Sequence, residues 1–478
     1  QLRAQKRKST VSSIFISVLV IILLALIMAI IFLPSLFVES PTIVTYNSGA
    51  PYEEELEKKE INNQIKRQPS APSSSMAKVI ASTTPSPTAI PIPEVDVPNP
   101  STDFGSGDDF GDGWGSGGDG GGGGFGNIPA NMRKRCSKAD RLARLASNGG
   151  TPACEDAVVN ALRYLQKTQN KDGSWDGNNH VAMTGLVLLA YLGHCETPLS
   201  PEFGETVTAA MTYLINVNMK NKGKMADNLG DKHWPYEHAI GSYALAESYT
   251  FCKQLNINIP KLETATQNAI QWIIDNQHKS GGWDYNYDES GPRGGDLSIT
   301  SWQVSALHAA RVAKLDVRNM DECLSKARKY VLKRQAESGG FGYSGTAPVG
   351  LANGRHTLTG AGVRCLQICD LAARGRWARM PRGSAPEEKG VEYLARESKF
   401  DWENGPANLY SLYHESRALA RRGGAVWLAC QKEWRPDLLK HQSESGSWPK
   451  PSVPGIGNMG DPIYNTCLAT LILESYYR

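Results

Sequence analysis

From residue 131 onward the apolar positions of this chain alternate between two textures. Glu155–Thr168 carries Val158, Val159, Leu162 and Leu165 at spacings of three and four, which lines one face of a helix. His180–His194 follows with Val181, Met183, Leu186, Val187, Leu188, Leu189, Tyr191 and Leu192, apolar on nearly every side. A helix of that kind must be buried on nearly every side. Asp172-Gly173 breaks the pattern between them. The predicted unit is one half-exposed helix, a Gly-rich loop and one buried helix. Upstream the pattern is different. Ile14–Leu33 is an uninterrupted apolar run, extended through Pro34 to Val38, and about 20 apolar residues suffice to cross a bilayer as a helix.

The loop between the two helices recurs. Gln169 is followed by Gly173 and Trp175, Gln277 by Gly281 and Trp283, Gln335 by Gly339 and Phe341, and Gln442 by Gly446 and Trp448. An aromatic–aliphatic pair precedes three copies: Tyr164-Leu165, Trp272-Ile273 and Tyr330-Val331. The intervals between the four Gln are 108, 58 and 107 residues, which fit a repeat of about 50–60 residues. Tyr213-Leu214…Asn218 and Tyr393-Leu394…Ser398 stand where two degenerate copies belong. Six helix pairs closing on themselves make an inner ring within an outer ring, an all-α α/α toroid, and closure removes the need for capping repeats.

The aromatic-aliphatic-x3-Gln-x3-Gly-x-aromatic signature resembles the Gln–Trp motif of the terpenoid-cyclase and protein-prenyltransferase superfamily. The whole chain looks like a membrane-anchored prenyltransferase/squalene-oxidase repeat protein of the planctomycete type, over about Cys154–Tyr477. The resemblance implies that each Gln amide ties its loop to a helix end while the aromatic ring packs beneath. Gln169, Trp175, Gln277, Trp283, Gln335, Phe341, Gln442 and Trp448 are therefore structural.

The expected organisation is a basic cytoplasmic tail at 1–13 (Arg3, Lys6, Arg7, Lys8), a transmembrane anchor at 14–38, a disordered linker at 39–130 and the toroid at 131–478. The linker is Pro/Ser/Thr-rich, then Gly/Asp-rich, and neither part can bury enough apolar surface to order itself. No Lys follows the span before Lys58, so the positive-inside bias places the N-terminus in the cytoplasm and the toroid in a periplasmic space. The net charge of +3 comes without a basic stripe interleaved with aromatics, which argues against nucleic acid. Among nine Cys, Cys195, Cys252 and Cys369 read as small buried hydrophobes, and Cys136 with Cys154 as a disulfide if exported.

The N-terminal ends of the buried helices, where free N–H groups collect, bring polar residues to one level: His180, Tyr236, His238, Asp296, Ser298, Arg355, His356, Asn408 and Asp461. Asp296 and Ser298 are also typical helix-cap types. Asp296-Leu297-Ser298-Ile299-Thr300-Ser301-Trp302 is similar to the Asp-x-Cys…Trp segment of protein prenyltransferases, and His356-Thr357 to their third zinc ligand. The resemblance implies zinc at Asp296 and His356, a pair that would need His238 or His180 as a further ligand. Ser298 stands where the thiolate belongs, and a neutral hydroxyl is a poor zinc ligand. The same segment corresponds to the Asp-x-Asp-Asp acid of squalene cyclases, and Ser298 again replaces the carboxylic acid. No GxSxG, HExxH, P-loop or GCGEQ sequence is present. His233–His238 reads as a mouth loop, and Arg374, Arg376, Arg379 and Arg382 with Trp377 as a basic connection able to touch anionic head groups.

The expected function is a toroid holding a prenyl or other hydrophobic lipid, its cavity lined by aromatics and aliphatics, with Asp296, Ser298, His356 and His238 at the rim and altered or absent catalysis. The alternatives are a non-catalytic scaffold for an extracytoplasmic protein partner, and a carbohydrate-active toroid using Asp284, Asp288 and Asp296 as paired carboxylates.

Overall fold

The computed structural model describes residues 130–175, 179–290, 293–344, 355–373, 383–405, 407–452 and 461–478, with the strand Thr42–Ile43. The expected span at 14–38, the linker apart from that strand and Ala130, and the basic connection at 374–382 lie outside the described residues. Among the described residues no helix is long and apolar enough to cross a membrane. β1 (Thr42–Ile43) pairs in parallel with β2 (Ile257–Asn258), Thr42 opposite Ile257. The fold is otherwise all-α.

The single turn Ala130–Arg133 and a longer helix, α1 (Lys138–Ser147), precede six pairs. They are α2 (Pro152–Lys167) with α3 (His180–Gly193), α4 (Gly204–Lys220) with α5 (Trp234–Gln254), and α6 (Leu262–Asp275) with α7 (Leu297–Val312). Then come α8 (Met320–Leu332) with α9 (Thr359–Ala373), α10 (Ala385–Glu397) with α11 (Leu409–Arg422), and α12 (Gly424–Lys440) with α13 (Pro462–Leu473). The second helices of the pairs pack in sequence, α3 on α5, α5 on α7, α7 on α9, α9 on α11 and α11 on α13, and α13 packs back on α3. Burial follows the two textures of the sequence. Every residue of α3 except His180 is buried, whereas α12 buries only Trp427, Gln431, Trp434 and Leu438, one helical face.

The four Gln loops act as staples. Gln169 Nε2 donates to the Gly173 carbonyl in its own loop (3.1 Å) and to the Thr206 carbonyl in the first turn of α4 (3.0 Å). Gln277 joins Gly281 to Cys323 on α8, and Gln335 joins Gly339 to Pro386 on α10. Gln442 joins Gly446 to Ala157 on α2, so the last pair is tied to the first. The indole N–H groups of Trp175, Trp283 and Trp448 donate to the carbonyls of Leu165, Ile273 and Leu438, near the ends of the preceding helices. The backbone N–H of each loop aromatic donates to a threonine on the buried helix: Thr184, Thr300, Thr359 and Thr466. Gly281 (φ 97°) and Gly446 (φ 93°) take left-handed conformations, and a Cβ there would lie 2.2 Å from the Lys326 carbonyl oxygen and 2.3 Å from that of Asn160.

The degenerate copies diverge. Asn218 Nδ2 bonds the Gly223 carbonyl (2.9 Å), keeping the loop half of the staple. Ser398 instead bonds the Glu415 carboxylate on α11.

The disulfide differs from the expected one. Cys136 pairs with Cys195, their Cα atoms 4.9 Å apart, and Cys154 is a buried free thiol. Cys195 follows the end of α3 with φ 69°, a left-handed turn that the periodic pattern does not register. The bond closes a separation of 59 residues. Cys136→Ser is expected to cost about 2–4 kcal/mol of stability, read as a lower denaturation midpoint. Wild type should fall to the variant's midpoint in reductant, and Cys154→Ser should keep the redox difference.

Candidate functional site

Asp296 caps α7. Its Oδ1 accepts from the backbone N–H groups of Ser298 (2.8 Å) and Ile299 (3.2 Å) and from the Ser298 hydroxyl (2.5 Å). Its Oδ2 accepts from Arg293 Nη2 at 3.2 Å. The side chain is fully buried. Burial pushes its carboxyl above the usual range, while the bonds from Ser298, Tyr343 and the two backbone N–H groups pull it back. Ser298 passes the contact on, its hydroxyl 2.6 Å from that of Tyr236 in the first turn of α5.

Around this cap stand four half-buried tyrosines: Tyr236, Tyr285, Tyr343 and Tyr410. The Tyr285 and Tyr343 hydroxyls are 2.7 Å apart, and the Arg293 guanidinium lies over both rings, 4.9 and 5.2 Å from their centroids. Tyr236 is 6.1 Å from Tyr285, centroid to centroid, and Tyr410 packs edge-on to His414 at 4.8 Å. Beneath them Trp302 of α7 stacks on Tyr413 of α11 at 5.3 Å, both buried. Tyr285 and Tyr343 each follow a loop aromatic by two residues (Trp283, Phe341). That shared register was the available signal, and the sequence reading missed it together with Arg293.

The structure gives His238 to the scaffold. Its Nδ1 accepts from the Met225 backbone N–H (3.0 Å) and its Nε2 lies 3.1 Å from the Ala269 carbonyl. In the second pair it replaces the threonine hydroxyl that receives the loop N–H in the stapled pairs. Burial drives its pKa down to about 3, so the ring is a neutral structural group with both nitrogens engaged. His233–His238 is correspondingly the start of α5 rather than a mouth loop, because Pro235 fits a first helical turn. Asn408 and Asp461 cap α11 and α13. His180 pairs with Asp227 (Nδ1 to Oδ2, 2.9 Å). His356 lies in the single turn Arg355–Leu358 ahead of α9, and its side chain is outside the described residues.

These bonds bear on two expectations. Zinc fits poorly at Asp296, whose oxygens are taken by cap donors and Arg293, and the neighbouring Ser298 offers only a hydroxyl. No group of three His, Cys, Asp or Glu suited to a metal ion occurs among the described residues. The carbohydrate reading loses its free carboxylates, since Arg293 bridges Asp284 and Asp296 and Asp288 accepts from Ser290.

No family model and no curated protein matches the chain. Among solved structures, a variant of the type II terpene cyclase MstE from Scytonema, in complex with geranylgeranyl dihydroxybenzoate, aligns at TM-score 0.43 and 14% identity. That alignment covers 71% of this chain and 98% of that one. A protein from Actinoplanes aligns at TM-score 0.41 and 14% identity, over 68% of this chain and 100% of that one. The likeness is one of helix arrangement and lends nothing to the choice of ligand.

Proposed function

We propose that this chain is a terpenoid-cyclase-like α/α toroid that binds a hydrophobic, prenyl-like ligand at the mouth around Asp296 and returns it unchanged. The closed packing order of α3, α5, α7, α9, α11 and α13 supports the inner ring, with α2, α4, α6, α8, α10 and α12 outside it. The observation that carries the ligand reading is the set of half-buried tyrosines, Tyr236, Tyr285, Tyr343 and Tyr410, converging on one buried carboxyl. Aromatic faces with a few placed polar groups suit an apolar chain with a polar end. Inactivity follows from the cap. Every bond to Asp296 is a donor, leaving neither oxygen placed to hand a proton to an alkene, and the Ser298 hydroxyl is far too weak an acid. An extracytoplasmic location on an N-terminal anchor accords with the Cys136–Cys195 disulfide.

The full chain in detergent micelles, mixed with geranylgeraniol and examined by native mass spectrometry, should carry one ligand of unaltered mass. Tyr236→Phe should weaken retention about tenfold, the worth of one lost hydrogen bond, and lower the thermal midpoint only slightly, through the lost bond to Ser298. A bare wild-type mass would overturn the binding reading, and an isomerised product on extraction would overturn the inactivity.

A protein-binding scaffold is the second reading. The stack of Trp302 on Tyr413, helices that flank α9 on either side, favours it by filling the space between them.

A further inference from the structure

Below that stack the inner helices leave surface open where all else is covered. Within otherwise buried stretches, α5 keeps only Glu247 partly accessible, α7 only Ser305 and His308, α9 only Arg364 and α11 only Arg417. These helices are consecutive neighbours, so the accessible atoms define one recess among them. Its lining is polar and cationic.

The charges in the recess do not balance. Glu247 is taken by Arg478 (2.9 Å) and Arg135 (3.5 Å), and Glu474 by Arg478 (3.2 Å). Arg417 donates to the Tyr413 hydroxyl at 3.2 Å and forms no ion pair among the described residues. Arg364 has neither an ion pair nor a hydrogen bond among the described residues. Its guanidinium faces Arg417 and Arg421, and burial with those two charges drives its pKa down to about 9. The nearby His308 is held neutral by burial and by the same arginines. Helix dipoles do not account for Arg364, which lies in the second turn of α9, since their pull on cations is confined to the last turn. Arg364 and Arg417 repel each other with no carboxylate between them among the described residues, and an anion entering the recess relieves that repulsion.

We propose that the recess between α5, α7, α9 and α11 is a binding site for a phosphate-type oxyanion, clasped by Arg364 and Arg417. Ser305 and His308 offer further polar contacts from α7. Planar guanidinium forks match phosphate oxygens in pairs, and a multiply charged anion suits more than one of them. The oxyanion comes either free or as the head of a prenyl phosphate. The site stands on its own residues and does not depend on the mouth at Asp296.

The test uses the full chain in detergent at low ionic strength, titrated in parallel with inorganic phosphate and with geranylgeranyl phosphate in mixed micelles. Thermal midpoint and heat of binding are both recorded. Wild type should bind and gain midpoint by mass action. Arg364→Met should lose about tenfold or more in affinity, as expected for a charge-assisted pair, and should be no less stable than wild type without phosphate. Arg417→Met provides a second variant should Arg364→Met not fold. Arg311→Gln, which removes an Arg already paired with Asp321, should keep the full response. Binding of both probes identifies a free oxyanion, and binding of geranylgeranyl phosphate alone identifies a lipid head. Failure of both probes on wild type, or an equal loss in Arg311→Gln, overturns the proposal.

Discussion

Trp283→Ala is expected to lower the unfolding free energy by about 3–5 kcal/mol, the range for deleting a buried large aromatic. The ring is fully buried, and its N–H holds the Ile273 carbonyl at the end of α6 at 2.9 Å. Its backbone is anchored twice more, by donation to Thr300 and by accepting the N–H of Asp296 at 2.8 Å. The substitution therefore loosens the start of α7 as well as opening a cavity, and retention of a ligand at the Asp296 mouth should fall with it. Trp283→Phe keeps most of the volume and loses the N–H, as Phe341 does naturally, so it should cost only about 1–2 kcal/mol. Denaturant titration followed by circular dichroism separates the two. A loss below about 1 kcal/mol for the alanine variant would mean that the loops are not staples.

The staples also explain why so much of the fold could be read from sequence. Gln, Gly and Trp at fixed offsets are each needed by a separate contact, so the spacing survives in four copies. The two degenerate copies depart from the signature because other groups act there: in the second pair Asn218 stands for a Gln amide and His238 for a threonine hydroxyl, and in the fifth Ser398 bonds Glu415. That substitution is also why His238 misleads. A histidine near a helix start has the same sequence whether it faces a mouth or receives a backbone N–H, and only the packing of Met225 and Ala269 against it tells them apart. Asp296 was legible as a cap, but Arg293, which links it to Asp284 and to two tyrosine rings, sits in a loop without periodicity. The basic recess was hidden for a related reason. Arg364 and Arg417 look like ordinary polar positions on amphipathic helices until neighbouring helices enclose them.

Acidification should unfold the protein steeply, and the enclosed groups set the window. His238 and His414 are held to pKa values of about 3 by burial, against 6.5 for a free imidazole. Their contribution is complete above pH 6.5 and is lost as pH falls toward 3. Glu237 and Glu474 act in the opposite sense. Burial lifts them to about 8 and about 7 from 4.5, so in the fold they hold protons that the unfolded chain releases. Their contribution is complete below pH 4.5 and is lost as pH rises through 7 and 8. Between pH 4.5 and 6.5 the two pairs nearly cancel, and stability should be almost flat. Below pH 4.5 only the His terms remain, joined by Glu247, which Arg478 and Arg135 hold at about 2 against its burial. Each uncancelled group is worth roughly 1.4 kcal/mol per pH unit, so three together remove about 4 kcal/mol per unit. That is a large share of a typical stability of about 5–15 kcal/mol, and unfolding is expected between pH 4.5 and 3. On the alkaline side a shallower decline should run from pH 6.5 to 8, and Glu237→Gln should flatten it. Urea midpoints measured from pH 3.5 to 8.5 test the whole profile. A stability that stays flat from pH 3.5 to 8.5 would show that these carboxyls and imidazoles are hydrated in the folded chain.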